Sequence, residues 1–377
     1  MTAVPTGYVQ SRRVATCTST RTRSYPIDVV PAIADAARLL ARRAAGRDVW
    51  LVADSTVQSL HGGSLLHQLA ECGTTAHSMA IPAGEGSKTM ASVERIIEWL
   101  CATGFSRRDL LVGFGGGVVI DTAGLVASIF MRGVPYLNLP TTLLGQVDAA
   151  IGAKVGVDHG SAKNLLGAFY EPQAVISCVE FLGTLPVREV RSGLAEVVKK
   201  AVIASADLFD YLVERHAALL DPAGDALSEV IGRASALKSE LISADPYEDD
   251  LRRPLNFGHT VGHALETATG YGPVRHGEAV AFGMSVAVQV ALGRGALDPA
   301  EADRIVGLLR VLGLPTALVD LAAQPVLGEL LGCLDKIRQV RDGSLRFVLP
   351  TRIGATRIVD DVTTAELRAA ISLAGTR

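Results

Sequence analysis

The sequence predicts an α/β protein of two domains, the first with a mainly parallel sheet and the second all-helical. Strand-like and helix-like patterns alternate between residues 48 and 142, which is typical of a parallel sheet covered by helices. From residue 187 the patterns are helical, apart from a strand-like piece at 345–349. The 377 residues suit two domains of ordinary size. We expect a flexible polar extension over 1–25, the α/β domain over 26–180 and the helical domain over 181–377.

Short apolar runs mark the strands of the first domain, and apolar residues at helical spacing mark its helices. DVWLVA and DLLVGF are continuous apolar stretches that are too short for helices, so they indicate buried strands. The segments between them repeat apolar residues every three or four positions. In chain order we predict a helix over 33–43, strands over 48–53 and 77–82, a helix over 92–103, a strand over 109–114, a helix over 118–130 and a strand over 135–139.

Helical periodicity dominates the second domain. Its predicted helices cover 187–204, 206–215, 225–244, 260–268, 278–292, 299–312 and 326–334, and a last helix begins at 364.

The composition excludes several classes of function. Hydrophobic residues make up 49% of the chain, charged residues 20%, and the net charge is -3, so there is no basic excess for nucleic acid. The five cysteines are scattered without a CxxC pair, which favours free thiols in a reducing cytoplasm. No apolar run follows Arg12 and Arg13, and none reaches about 18 residues, so we expect neither a secretory signal nor a membrane span.

Three of the eight histidines lie close together in the sequence. His259 and His263 are four residues apart and share one face of a helix, while His276 follows a Gly-Tyr-Gly-Pro break. Neutral imidazoles with a carboxylate from elsewhere suit a divalent metal ion. A capped helix with two satisfied histidines is the alternative. The HExxH protease motif is absent.

A glycine triplet lies between a predicted strand and a predicted helix. Gly115, Gly116 and Gly117 would let backbone N–H groups approach a pyrophosphate, as in Rossmann-like domains. The triplet does not fit GxGxxG, because position 120 is Ile, so a tight turn is equally compatible. Asp54 ends an earlier strand and suits a ribose hydroxyl, or else it caps a helix.

Charged residues in a glycine-rich stretch form another candidate site. Asp148, Lys154, Lys163 and Asn164 lie where no period is clear, and we interpret this stretch as a loop. Two lysines and an amide donor suit a phosphate, whereas solvated loop lysines are the common alternative.

Further charged residues lie within predicted helices or near their ends. Glu196 and Lys199 are one turn apart among apolar neighbours, where a carboxylate is costly unless it binds a cation; a surface ion pair is the alternative. Arg252 and Asn256 lead into the histidine helix and, with Lys238, suit an anionic substrate group.

Together these segments resemble the 3-dehydroquinate synthase family of sugar phosphate cyclases over about residues 54–336. The motifs occur in the order and spacing of that family. They are GEGSK (84–88), GGGVVIDTAG (115–124), MRG (131–133), PTTLLGQVDAAIGAK (140–154), KNLLGAF (163–169), SGLAEVVK (192–199), LRRPLNFGHTVGHALE (251–266), RHGEAVAFGM (275–284) and LDK (334–336).

The resemblance implies a Rossmann-like NAD-binding domain, a helical domain and a Zn²⁺ (or Co²⁺) site between them. The metal ligands would be Glu196, His259 and His276. The implied NAD contacts are Asp54, Glu85, Lys88, Gly116, Gly117, Asp121, Thr141, Thr142, Lys163, Thr184 and Glu189.

The resemblance also implies how a sugar phosphate is bound. Lys238 and Arg252 would meet a substrate carboxylate, and Arg132 would reach the phosphate from the other subunit of a homodimer. The remaining phosphate contacts would be Lys154, Asn164, Asn256, His263 and Lys336. Asp148, Lys199 and Glu248 complete the implied active-site set.

The family reaction converts 3-deoxy-D-arabino-heptulosonate 7-phosphate to 3-dehydroquinate and phosphate, by transient oxidation with NAD, phosphate elimination, re-reduction and aldol closure. Lys238 and Arg252 favour this carboxylated substrate, and so do the retained Asn256 and His263 positions. This chain departs from the family's usual residues at Ala153, Val155 and Ile337, which suggests specialised metabolism. An amino-heptulosonate cyclase or another sugar phosphate cyclase is therefore an alternative; a glycerol dehydrogenase-like enzyme and an inactive relative are weaker ones.

Overall fold

The computed structural model describes residues 24–160, 162–221, 224–247, 253–340 and 345–374. A six-stranded sheet, in the order β1-β8-β5-β4-β2-β3, organises the first half, and all its paired strands run parallel. In register, Val112 of β4 lies between Leu51 of β2 and Leu137 of β5. The strands of this sheet are β1 (Ile27–Val30), β2 (Val49–Asp54), β3 (Ala76–Ile81), β4 (Leu110–Gly115), β5 (Tyr136–Pro140) and β8 (Val175–Cys178).

Helices cover both faces of this sheet. Along β2, Leu51 and Ala53 pack into one apolar cluster, whereas Trp50 and Val52 pack into another. Because successive side chains of a strand point to opposite faces, this division shows why the strand is apolar throughout. The helices of this half are α1 (Ile33–Ala44), α2 (Ser55–Val57), α3 (Gly63–Glu71), α4 (Met90–Ala102) and α5 (Gly117–Ile129).

The stretch interpreted as a loop around residues 154–164 is an antiparallel hairpin, so that interpretation is wrong. Strands β6 (Lys154–His159) and β7 (Ala162–Phe169) pair with each other; β6 is buried from Val155 to Val157, whereas β7 has no buried residue. Gly156 allows the close approach, because a Cβ there would lie 2.8 Å from the Leu166 carbonyl oxygen. Ala153 precedes the hairpin at φ 60°, a backbone conformation that glycine adopts at lower cost.

The second half is a bundle of helices with one small hairpin. Helix α10 is at its centre, with most of its length buried among its neighbours. The helices are α6 (Val187–Ala204), α7 (Ala206–Arg215), α8 (Ala226–Ala244), α9 (His259–Ala268), α10 (His276–Gly293), α11 (Pro299–Val311), α12 (Leu327–Val340) and α13 (Thr364–Leu373), and β9 (Phe347–Arg352) pairs with β10 (Ala355–Val359).

Glycines bring α6, α9 and α10 into backbone contact. A Cβ on Gly277 of α10 would overlap the backbone of Ser192 in α6. A Cβ on Gly283 would overlap the carbonyl oxygen of Gly258, the residue before α9, and one on Gly262 would lie 3.1 Å from the Ala279 oxygen. The three helices therefore pack more closely than larger residues at these positions would permit.

The predicted fold class is confirmed. The predicted helices 187–204 and 206–215 match the structure at both ends, and most other predicted elements differ by a few residues. Strands β1, β6, β7, β8 and β10 and helices α2 and α3 were not predicted. The domain boundary remains a prediction, and residues 1–23 of the predicted extension lie outside the described residues. Among the described helices, none combines the length and the apolar character needed to cross a membrane.

Candidate active site

Glu196, His259 and His276 converge at the junction of α6, α9 and α10. His259 and His276 are the first residues of their helices, and Glu196 lies within α6 with no solvent exposure. The Nε2 atoms of both histidines lie 3.6 Å from Oε1 of Glu196. This is too long for a good hydrogen bond, but it is near the roughly 3.3 Å that separates two ligands of a tetrahedral zinc ion. The spacing therefore fits a shared divalent ion.

The orientation of the two imidazoles supports the same conclusion. His259 Nδ1 lies 3.2 Å from the Phe257 carbonyl oxygen, and His276 Nδ1 lies 3.3 Å from Oε1 of Glu266. Each Nδ1 thus carries a hydrogen toward an oxygen, which leaves Nε2 to bind a metal ion. Within the described part of the chain, Oε1 of Glu196 is buried without a hydrogen-bond partner. A cation between these three atoms would satisfy all of them.

The pKa values of the two histidines differ because their neighbours differ. Burial, with Lys199 nearby, holds the pKa of His259 well below its usual value, so this ring is neutral. Burial also lowers the pKa of His276, but Glu196 and Glu266 outweigh it and raise that pKa to about 10. Without a metal ion, a proton on His276 occupies the position that the ion would take.

Glu266 is a site residue that the sequence reasoning missed. Its side chain is buried, and the same oxygen faces His276 Nδ1 at 3.3 Å and the Lys163 ammonium at 3.7 Å. His263, Glu266 and His276 form a second group with metal-ligand spacing. In that group His276 Nδ1 and Glu266 already face each other as a hydrogen-bonded pair, so Glu196, His259 and His276 are the better candidates. In the sequence, the one indication of a role for Glu266 was its position at the end of the GHALE motif.

We expect Glu266→Gln to lower the affinity for Zn²⁺ by about 10-fold, because a carboxylate paired with a ligand imidazole orients the ring and raises its basicity. Competition with a fluorescent chelator measures this affinity on the purified protein. Glu229→Gln is the matched control, since Glu229 pairs with Arg233 on the surface of α8. An unchanged affinity in Glu266→Gln would show that Glu266 does not support the ligand.

Asp148 lies at the centre of a lysine cluster next to the candidate metal ligands. A single π-helical turn, Gly145–Ala149, presents its carboxylate. Oδ1 lies 2.8 Å from the Lys200 ammonium and 4.0 Å from that of Lys199, and Oδ2 lies 2.9 Å from that of Lys238. Lys199 also pairs with Glu196. Three lysines and two carboxylates leave one excess positive charge, which favours an anionic ligand.

Burial and mutual repulsion shift the pKa values in this cluster. Burial opposes ionisation of Asp148, but the ammonium groups of Lys200, Lys238 and Lys199 hold its pKa well below the usual value. Burial, together with the charges of Lys200 and Lys199, lowers the pKa of Lys238 to about 8. The cluster is therefore strongly coupled.

Lys200 is the second residue that the sequence reasoning missed. It is fully buried. Adjacent residues of a helix point in directions about 100° apart, yet Lys199 and Lys200 both reach the Asp148 cluster. Every residue of α6 from Ser192 to Ile203 is buried, so neither lysine has a solvent-facing side of the helix to point toward. A repeated lysine within an apolar helix was the only signal in the sequence.

The predicted cofactor residues lie along the carboxyl edge of the sheet. Strand β4 ends at Gly115, and Gly116 immediately precedes α5, whose first N–H groups are therefore available to an anion. A Cβ on Gly116 would lie 3.2 Å from Cγ2 of Thr142, so this loop is tightly packed. Asp54 Oδ1 accepts hydrogen bonds from Thr56 and Val57 N–H, so Asp54 does cap α2.

Other predicted cofactor residues have partners within the protein. Buried Lys88 donates to Asp121 Oδ2 and to Asn164 Oδ1, each at 2.5 Å. Further pairs join Lys163 to Glu85 at 2.9 Å, Thr184 to His61 at 2.8 Å, and Glu189 to Arg275 at 2.8 Å. Thr141 is buried directly after β5.

Most of the predicted substrate residues lie at the protein surface. Arg132, Lys154, Asn164, His263 and Lys336 are exposed, and Asn256 is half-buried. The ring of His263 lies 5.2 Å from that of His259, so it is next to the candidate metal site. Glu248 and Arg252 lie outside the described residues.

Comparison with known families covers both halves of the chain. Residues 78–192 match the family model described as 3-dehydroquinate synthase N-terminal. Residues 193–333 match the model described as 3-dehydroquinate synthase C-terminal.

Individual relatives are similar over almost the whole chain. The 2-epi-valiolone synthase of Actinosynnema mirum is 55% identical over 352 residues, which cover 93% of this chain and 92% of that protein. The 3-dehydroquinate synthase of Desulforamulus reducens is 40% identical over 352 residues, covering 93% and 97%. Among solved structures, ValA, the 2-epi-5-epi-valiolone synthase of Streptomyces hygroscopicus with NAD⁺ and Zn²⁺ bound, is 34% identical with a TM-score of 0.87, covering 95% and 98%.

Proposed function

Since this chain belongs to the 3-dehydroquinate synthase family of sugar phosphate cyclases, we propose that it closes sedoheptulose 7-phosphate to a valiolone-type cyclitol with release of phosphate. The observation that carries this proposal is the identity of 55% to a 2-epi-valiolone synthase, against 40% to a 3-dehydroquinate synthase over an equally long alignment. The activity would be that of a phosphate-eliminating lyase in specialised metabolism.

The environment of Lys238 supports a substrate without a carboxylate. The carboxylated substrate was expected because Lys238 and Arg252 would pair with its carboxylate. The Lys238 ammonium, however, is buried between the Asp148 carboxylate at 2.9 Å and the Asp148 carbonyl oxygen at 2.7 Å. A substrate carboxylate would therefore have to compete with Asp148 for the Lys238 ammonium.

Formation of 3-dehydroquinate, or of its amino analogue, is the second candidate. Asn256 and His263 are retained, and the sequence expectation connected both positions with the heptulosonate substrate. The identity of 40% to a 3-dehydroquinate synthase also supports it.

The donor set fits a divalent ion, and we propose that Glu196, His259 and His276 hold Zn²⁺ or Co²⁺. We propose that NAD lies along the carboxyl edge of the sheet, with its pyrophosphate at Gly116 and Gly117. When bound, NAD would supply a reversible hydride acceptor, and the ion would supply a Lewis acid for a substrate hydroxyl. The ValA structure with NAD⁺ and Zn²⁺ supports both assignments.

The remaining roles follow from charge. Lys199 pairs with the oxygen of Glu196 that faces away from the histidines, and so fixes this carboxylate. The excess positive charge of the lysine cluster attracts a phosphate dianion. We assign the phosphate to Lys154, Asn164, Asn256, His263 and Lys336, and to Arg132 from a second copy in a cytoplasmic homodimer.

Phosphate release with NAD and Zn²⁺ present tests the substrate. We expect kcat/KM for sedoheptulose 7-phosphate to exceed that for 3-deoxy-D-arabino-heptulosonate 7-phosphate by at least about 100-fold, roughly 2.7 kcal/mol of discrimination. NMR of the product identifies the carbocycle. A preference for the heptulosonate, or for its amino analogue, would establish the second candidate. Release from none of the three would refute cyclase activity altogether.

A further inference from the structure

His61 is a buried histidine with no assigned role. It lies in a single π-helical turn, Gln58–Gly62, and its side chain is 5% exposed. Its Nε2 lies 2.8 Å from Oγ1 of Thr184, and its ring packs edge-on against Phe181 with centroids 5.0 Å apart. Thr184 Oγ1 in turn donates to the Phe181 carbonyl oxygen at 3.2 Å. Burial lowers the pKa of His61, although Glu180 opposes the shift, so the imidazole is neutral.

These residues lie at the edge of the sheet where a dinucleotide is expected. Phe181 packs against Phe114, with ring centroids 5.4 Å apart, and Phe114 directly precedes the glycine triplet. Open α/β sheets bind dinucleotides at the carboxyl ends of their strands, and the residue that ends the strand next to the glycine loop holds the adenosine ribose. Here that strand is β2, it ends at Asp54, and His61 belongs to the helical run that begins at the next residue.

The hydroxyl group of Thr184 can form only a few hydrogen bonds. A threonine hydroxyl has one hydrogen and two lone pairs. If His61 carries its hydrogen on Nε2, it donates to Thr184, whose own hydrogen goes to Phe181. If it carries the hydrogen on Nδ1, then Nε2 accepts the hydrogen of Thr184. In both tautomers an internal acceptor takes the hydroxyl hydrogen, so Oγ1 of the exposed residue Thr184 offers a lone pair.

We propose that His61 is a positioning residue for the cofactor, which holds Thr184 as a hydrogen-bond acceptor for a donor on the adenosine half of NAD. The donor is the exocyclic amine of adenine or a ribose hydroxyl. This inference rests on NAD binding in the proposed function. It assigns His61 a role that acts through Thr184, without contact between the imidazole and the cofactor.

Isothermal titration of NAD into the zinc-loaded protein tests the pair. We expect His61→Phe, which keeps the ring packing on Phe181, and Thr184→Val each to raise Kd about 10-fold, as for one lost hydrogen bond. The double variant should be no weaker than the weaker single variant, because both remove the same interaction. His61→Gln, which retains a side-chain donor, should recover part of the affinity. His67→Phe, at an exposed histidine of α3, is the control.

Three cofactor analogues separate the possible donors. Nicotinamide hypoxanthine dinucleotide lacks the exocyclic amine, and 2′-deoxy and 3′-deoxy NAD each lack one ribose hydroxyl. One analogue should bind the wild type about 10-fold more weakly than NAD does. That analogue and NAD should bind Thr184→Val with equal affinity. A structural role of His61 would weaken every ligand alike and lower the melting temperature.

The outcomes separate this inference from the proposed function. Additive effects in the double variant, or normal NAD affinity in His61→Phe, would overturn the positioning role. Absence of NAD binding to the wild type would instead overturn the proposed function.

Discussion

His276→Ala is expected to lose its bound zinc and to lower kcat/KM on the preferred sugar phosphate by at least about 1,000-fold. The change removes one of three ligand atoms from a site where Glu196 Oε1 faces both imidazoles at 3.6 Å. A metal ion in this role supplies several kcal/mol of transition-state stabilisation, and about 4 kcal/mol corresponds to 1,000-fold. Metal content by atomic emission and phosphate release measure the two effects on the same preparation.

His67→Ala is the matched control for this prediction, because His67 is an exposed histidine on α3. It should retain both metal and activity. A His276→Ala protein that binds one equivalent of zinc with wild-type affinity would exclude His276 as a ligand. Metal retained with activity lost would show that His276 acts by another route.

Asp148→Asn is expected to lower the free energy of unfolding by about 3–5 kcal/mol, which is the usual effect of removing one partner from a buried ion pair. The substitution keeps the shape of the side chain but leaves Lys199, Lys200 and Lys238 with the Glu196 carboxylate alone. Chemical denaturation measures the change. Adding Lys200→Met should restore part of the loss, since it removes one of the three buried charges.

The pH dependence gives this second prediction a clear sign. Lys238 has a folded pKa of about 8 against 10.5 when unfolded, so the unfolded chain binds more protons between these values. Wild-type stability therefore gains a contribution from Lys238 as pH rises from about 8 to 10.5. The deficit of Asp148→Asn should shrink as pH rises, because the unpaired lysines can lose their protons. If Asp148→Asn were as stable as the wild type at neutral pH, water rather than Asp148 would be stabilising the charges of these lysines.

Much of the fold and the metal site could be predicted from local patterns. The strands β2 and β4 are continuous apolar runs, and α6 and α7 have apolar spacing that fixes both ends, so neighbouring residues suffice to identify them. The family motifs predict Glu196, His259 and His276 as metal ligands, and the structure brings their ligand atoms within 4.8 Å of one another.

Other features depend on contacts that local sequence does not encode. The side chains of β7 are exposed or half-buried on both faces, so this strand has no hydrophobic period and its pairing with β6 decides its structure. Glu266 gains its role from α10 folding back on α9, and Lys200 from the burial of α6 on all sides. His61 contacts Thr184, which lies 123 residues away in the chain.

The glycines between α6, α9 and α10 have a consequence for how this protein can vary. The segments that carry Glu196, His259 and His276 touch through backbone atoms at Gly277 and Gly283. The distance between these ligands is therefore independent of the volume of any intervening side chain. Core substitutions elsewhere in the bundle can accumulate without changing the ligand spacing, whereas a single methyl group at either glycine would alter it. The spacing of the candidate ligands thus depends on two residues that have no functional group.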